Sequence, residues 1–223
     1  MRIQSIPKSG RVREAVYFKG RYGNVARQYV RPRDPRTPDQ LDKRINLVAV
    51  CNYWGTLTPE QRAAWGLAAA DNDFVTETGE PVRLNGYNFF KRLNVRRADL
   101  GLPQFELPPA RPFFQPNPVV ELVITNIGGK IDIKLRLTGQ PVQYTLVQGP
   151  APKRSGVRLV QKFPFLGLLP PPKGGWSDIT ELYVSRHGVP RVGMAVWIRT
   201  CQHIDGWIDV PKVLRARVPA PAA

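Results

Sequence analysis

Residues 131–137 alternate strictly. Ile131, Ile133, Leu135 and Leu137 fall on one side, and Asp132, Lys134 and Arg136 on the other. A period of two predicts a strand with one face buried. Similar runs lie at 119–125, 142–148, 157–163, 179–185, 193–201 and 213–218, separated by turn signals such as Gly128-Gly129, Gly139, Gly174-Gly175 and Gly188. About seven short strands in about 100 residues predict an antiparallel β-sandwich over 119–218. Residues 219–223 are left as a tail.

Upstream the period changes. Thr37-Pro38-Asp39-Gln40 and Thr58-Pro59-Glu60-Gln61 share one grammar: Thr to cap, Pro at the first helical position, an acid, and Gln to close a capping box. The first helix is predicted to run to about Trp54 and to bury Leu41, Ile45, Val48 and Cys51. The second should run to about Ala70 around Trp65. A third starts at Asn85, turns Tyr87, Phe89, Phe90 and Leu93 inward, and stops at Leu100 before Gly101 and Pro103. Lys91, Arg92, Arg96 and Arg97 are expected to give it a basic outer side. These helices make a small domain over 37–101, with Trp54 and Trp65 as core. Six prolines in 102–118 predict a semi-rigid spacer.

The first 36 residues read as an arm. Strand-like runs at 11–18 and 24–30 flank Lys19-Gly20-Arg21-Tyr22-Gly23, a turn, so the expected element is a β-hairpin. On its second strand Val25, Arg27, Tyr29 and Arg31 share a face. A two-stranded ribbon is marginal alone and must lie on something. The overall expectation is an α+β chain: arm, three-helix domain, spacer and sandwich.

Charge sharpens the picture of the arm. The 223 residues carry 33 Lys and Arg against 17 Asp and Glu, a net +16. Residues 1–33 hold nine basic residues (Arg2, Lys8, Arg11, Arg13, Lys19, Arg21, Arg27, Arg31 and Arg33) and one acid, Glu14. Half the net charge thus sits in about a seventh of the chain, which points to an anionic partner. Tyr17, Phe18, Tyr22 and Tyr29 interleave with these charges and could stack on bases. Three roles follow for the arm: phosphate neutralisation on nucleic acid, draping over an acidic neighbouring subunit, or a solvated tail.

Sites for chemistry are sparse. Apolar residues make up 42% of the chain, enough for real cores, so wholesale disorder is excluded. Cys51 and Cys201 have no pairing pattern, which argues against a disulfide framework or a Cys-based zinc module. No leader-like segment and no apolar run near 18 residues stand out, so a cleaved signal and a membrane span are not expected. His203, Asp205 and Cys201 form the one arrangement with catalytic potential. His203 and Asp205 fit a hairpin turn before Trp207 better, and Cys201 a buried strand position. His187 lies in a Gly-flanked turn. No phosphate loop, dinucleotide fingerprint or calcium loop occurs. The expectation is a non-enzymatic protein with no cofactor, no metal, no small-molecule substrate and no membrane partner.

Two resemblances add to this reading. Residues 52–65, Asn-Tyr-Trp-Gly-Thr-Leu-Thr-Pro-Glu-Gln-Arg-Ala-Ala-Trp, resemble the second-to-third helix junction of HMG boxes. Asn-Gly-Tyr-Asn-Phe-Phe at 85–90 looks like the aromatic start of the first HMG helix. Here the order is reversed and the intercalating wedge is not in place, so DNA bending is not carried over. The layout also resembles virion-associated structural proteins of bacterial viruses and prophages. The matching stretches are Gly-Arg-Tyr-Gly-Asn-Val-Ala-Arg-Gln-Tyr-Val at 20–30, Pro-Arg-Thr-Pro at 35–38, Leu-Thr-Pro-Glu-Gln-Arg-Ala-Ala-Trp at 57–65 and Gly-Tyr-Asn-Phe-Phe at 86–90. The C-terminal half looks like a fibronectin type III or other immunoglobulin-like module.

The second resemblance implies a structural subunit of a multi-subunit assembly, a phage virion (a minor capsid, decoration or head–tail component), found there or in the host cytoplasm. Its partners would be other subunits, and DNA or RNA through the arm. The residues expected to touch a partner are Arg11, Arg13, Lys19, Arg21, Arg27, Tyr29, Arg31, Arg33, Arg92 and Arg96. The alternative is a nucleic-acid-binding architectural protein using the arm together with the third helix.

Overall fold

The computed structural model describes residues 9–20, 23–31, 34, 36–75 and 81–221. Arg21 and Arg33 lie outside the described residues. The chain is α+β, with helices and antiparallel sheets. It divides into two compact units, 1–44 and 45–223, so the division falls inside the first helix rather than at residue 36.

The first unit holds a three-stranded antiparallel sheet, β1 (Gly10–Val12), β2 (Ala15–Gly20) and β3 (Gly23–Gln28), with β2 in the middle. The sequence predicted two strands. The run 11–18 breaks because Arg13 takes a left-handed φ of 51°, making a turn with Glu14 that folds β1 back on β2. After the sheet, Asp34 receives both guanidinium nitrogens of Arg44 at 2.9 and 3.0 Å, tying the connecting segment to the start of α1 (Pro38–Thr56).

The second unit contains a helical cluster and a β-rich part. α2 (Pro59–Ala70) begins with the expected capping box: the Thr58 hydroxyl accepts from Gln61 N, and the Gln61 side chain accepts from Thr58 N. Two short strands, β4 (Phe74–Val75) and β5 (Pro81–Val82), precede α3 (Gly86–Ala98), which Asn85 caps through its side chain. Trp65, Phe89, Phe90 and Leu93 form the fully buried centre of this cluster. α1 contributes a different face from the one expected. Val50 is buried, whereas Leu41, Ile45 and Val48 are exposed, Ile45 to 64% and Val48 to 56%. Val50 points to the opposite side of the helix from Leu41, Ile45 and Val48, and it is this side that meets Phe90 through Tyr53 and Trp54.

The β-rich part has two sheets. One is β6 (Val119–Ile127), β7 (Lys130–Leu137) and β10 (Trp176–Asp178), in the order β10-β7-β6. The other contains β8 (Tyr144–Gln148), β9 (Phe165–Leu168), β11 (Ala195–Ile204), β12 (Trp207–Ile208) and β13 (Lys212–Arg217), with β8 and β13 both paired to β11. The alternating side chains of β6 and β7 share one core with Val147, Val196 and Ile198 of the second sheet. Two expected strands are absent. Residues 157–163 form none, because the edge beside β8 is taken by β9. Residues 180–185 lie instead in α4 (Thr180–His187), with Ile179 at its N-cap; its first N–H bonds to Asp178 and its end is Gly188 with φ 74°. Ile179 and Tyr183, four apart and both fully buried, show the helical period that β-branched neighbours had masked.

Residues 102–118 form neither helix nor strand, yet they do not act as a spacer. Phe105 and Phe114 pack on the helical core, and Trp65 Nε1 donates to Glu106 O at 2.8 Å. The Gln202 side chain donates to Gln115 O at 2.7 Å, fastening the strap to β11 as well. Trp207, which falls within the stretch 119–218 read as the sandwich, completes the helical core against Phe89 and Phe74.

Candidate functional site

In an antiparallel sheet, residues directly opposite one another share a face. Arg11 pairs with Val16, Val16 with Arg27 and Phe18 with Val25, so these five side chains stand on one face of the arm sheet. Tyr29 has the parity of Arg27 and Val25. The Arg11 guanidinium lies 3.5 Å from the Tyr29 ring centroid, and that of Arg27 lies 5.7 Å from the Phe18 centroid. The Tyr29 backbone N–H also donates to Glu14 O at 2.6 Å, which anchors this end of β3 to the turn. The face is therefore a set of cations stacked on aromatic rings. A planar guanidinium on a ring keeps its N–H edge available for carboxylate or phosphate.

The remaining expected residues are placed differently. Lys19 stands on the opposite face of the sheet, Arg13 sits in the turn, and Arg31 lies past the end of β3. On α3 the basic side is folded inward. Arg92 lies over the Phe74 ring at 5.0 Å, and Arg96 donates to Gly206 O at 3.0 Å. Burial pushes the Arg96 guanidinium down to about 10, with the Arg92 charge adding to the effect. Arg97 is buried, donates to Pro103 O at 2.7 Å and pairs with Asp205 at 3.1 Å. Sequence spacing could not show this, because the acceptors come from the strap and from the far β11–β12 turn. The pairing of Arg11 with Tyr29 was also missed, since it depends on the extra strand.

The set around Cys201 has its own electrostatics. Cys201 and His203 are both buried in β11, and Asp205 with Gly206 makes the two-residue turn to β12, both at positive φ. Burial raises the Cys201 thiol to about 11, with the Asp209 carboxylate contributing. The thiol is therefore protonated, and not a thiolate nucleophile, at neutral pH. Burial, then Arg96 and Arg97, lowers His203 to about 4. Neither His203 ring nitrogen has a hydrogen-bond partner among the described residues. His187 sits at the end of α4, with Nε2 3.0 Å from Gly149 O. No group of three or more His, Cys, Asp or Glu that could hold a metal ion occurs among the described residues. No helix among them is long and apolar enough to cross a membrane.

No protein-family model, no curated protein and no solved structure matches the chain.

Proposed function

We propose that the protein is a non-enzymatic structural subunit of a multi-subunit assembly, a virion, whose basic arm docks on a neighbouring subunit or on nucleic acid. One observation carries this reading. No described residue of 9–31 with an assigned exposure is buried, although the segment forms three paired strands with Val16, Phe18 and Val25 on one face. A sheet of this size gains too little from its own packing to offset its ordering entropy, so a partner's surface is the natural source of the missing burial. The exposed Leu41, Ile45 and Val48 side of α1 supports the same reading, since apolar helix sides belong against other surfaces. In this proposal the 119–218 part is an immunoglobulin-like or fibronectin-like sandwich. Its support is the single core between two antiparallel sheets.

The inward bonding of Arg96 and Arg97 favours a protein partner over the nucleic-acid alternative. It leaves the arm as the main cationic surface of the expected footprint. The test is light-scattering size of the intact chain, and of an Arg11→Gln, Arg27→Gln variant, with and without duplex DNA at about 50 and about 200 mM salt. Multimers of the intact chain that persist at the higher salt and are reduced in the variant support the assembly reading. A monomer at both salts that ignores DNA overturns it. Complexes formed only with DNA and only at low salt replace it with the architectural one.

A further inference from the structure

A groove of about 820 Å³ crosses the outer face of the β10-β7-β6 sheet. Its floor comes from the outward side chains of those strands, Thr125 from β6, Lys134 from β7, and Trp176 and Asp178 from β10. Pairing sets their order: Asp178 is opposite Lys134, which is opposite Val123. One wall is the loop carrying Pro170 and Pro171, which the Ser177 hydroxyl holds by donating to Pro170 O at 2.7 Å. Trp176 remains 38% exposed, so its ring is accessible to a ligand in the groove.

The groove does not end there. At Pro170 and Asp178 it meets a second depression of about 670 Å³, also lined by Asp132, Lys130 and Glu181. The two together offer Lys130, Lys134 and Lys173 against Asp132, Asp178 and Glu181. On a chain with net charge +16, this is a surface of balanced charge. A polyanion gains nothing from it, because three carboxylates lie along its path. An extended peptide strand is read through backbone N–H and C=O groups, and the proline wall has no N–H to offer; a proline-rich peptide is the competing occupant, which a decaproline probe separates. A sugar ring has the complementary chemistry. Its C–H face is apolar and flat enough to stack on indole, and its hydroxyls both donate and accept. They therefore need acceptors such as Asp178 beside donors such as Lys134 and Thr125. Two of the three acids, Asp178 and Asp132, are fixed before any ligand arrives. Asp178 Oδ1 accepts from Thr180 N at 2.9 Å, and Asp132 Oδ2 from Lys134 Nζ at 3.3 Å.

We propose that this groove binds an uncharged carbohydrate chain, with one sugar ring stacked on Trp176 and its hydroxyls held by Asp178, Lys134 and Thr125. The site is independent of the arm and of the assembly reading. Its length, two joined depressions, fits several sugar units rather than one.

The experiment is binding of the intact chain to an array of neutral hexose and N-acetylhexosamine oligosaccharides, at salt high enough to screen the arm. Trp176→Ala and a groove-filling Thr125→Tyr are compared with it. Both positions are on the outer face, so an unchanged unfolding midpoint establishes that the fold survives; if one variant fails this check, the other decides. Binding of at least one oligosaccharide, weakened on the order of tenfold or more by either folded variant, is the expected result. No binding to any member of the array overturns the proposal, as does binding that both variants leave unchanged. A decaproline peptide that binds here and is lost with Trp176→Ala overturns it in favour of a peptide ligand.

Discussion

Arg97 of α3 and Asp205 of the β11–β12 turn meet at 3.1 Å, with the Arg97 side chain almost fully buried and Asp205 half exposed. The guanidinium is further held by Pro103 O and by the Phe105 ring at 3.7 Å. One cation thus joins the helical cluster, the strap and the β-rich part. Removing Asp205 leaves those two contacts but strands part of a buried charge. Asp205→Asn keeps a residue that tolerates the positive φ of 50° and should cost about 1–2 kcal/mol in urea unfolding. Arg97→Ala removes all three contacts and should cost about 3 kcal/mol or more.

His203 makes stability depend on acidity. Its folded value, about 4, lies below the ordinary 6.5 because burial and then Arg96 and Arg97 disfavour the charged ring. Between these values the unfolded chain carries a proton that the folded chain refuses. Its contribution is complete above about pH 6.5 and is lost as pH falls towards 4, by about 3 kcal/mol. Unfolding free energies measured across that window should show the slope, and His203→Phe should remove most of it. At pH 7 the same variant should be neutral or mildly stabilising, since both ring nitrogens lack partners among the described residues.

Gly206 is confined twice over. Its φ is +85°, and a Cβ there would stand 2.6 Å from Leu93 O and 2.8 Å from Leu93 Cα. Gly193 has a similar φ of +80° with nothing within 4 Å. Gly193→Ala should therefore cost only the conformational strain, about 1–2 kcal/mol. Gly206→Ala adds a backbone collision and should lose about 3 kcal/mol or more, with the Arg96–Gly206 bond disturbed. Thermal unfolding of the pair separates the two effects.

Trp65 couples packing to a hydrogen bond. Its ring meets Phe89 at 5.4 Å and Phe90 at 5.2 Å, both edge-on, while Nε1 bonds to the strap at Glu106 O. Trp65→Phe keeps most of the apolar bulk and leaves the carbonyl unpaired, for about 1–2 kcal/mol. Trp65→Ala opens a cavity at the centre of the cluster, for about 3–5 kcal/mol. Increased proteolysis within 102–118 in both variants should report that the strap has loosened.

Local signals in the chain foretold local structure. The alternation at 131–137 became β7, the Thr58–Gln61 capping box opened α2, and Asn85 opened α3. Where the reading failed, the deciding partner was distant in sequence. α1 carries two apolar sides, Leu41-Ile45-Val48 and Val50-Trp54, and periodicity alone cannot choose between them. The choice was made by Phe90, which packs on Trp54 at 5.0 Å. In α4 the composition favoured a strand, but Ile179 and Tyr183 close a helical turn over the shared core. At the candidate sites, the basic residues of the arm could be read directly. The stacking of Arg11 on Tyr29 depended on an unseen turn, and the groove beside Trp176 on two prolines folding over a sheet edge.

Trp207 imposes an order of events on the whole molecule. Because the helical core closes around a ring supplied by β12, far downstream of α3 in the sequence, α1, α2 and α3 leave the ribosome long before their last core residue exists. Phe89 and Phe74 then wait with apolar faces uncovered until β11 and β12 arrive. A nascent chain stalled before residue 207 leaves that part of the core uncovered. The helical cluster therefore matures only after residue 207 has been made.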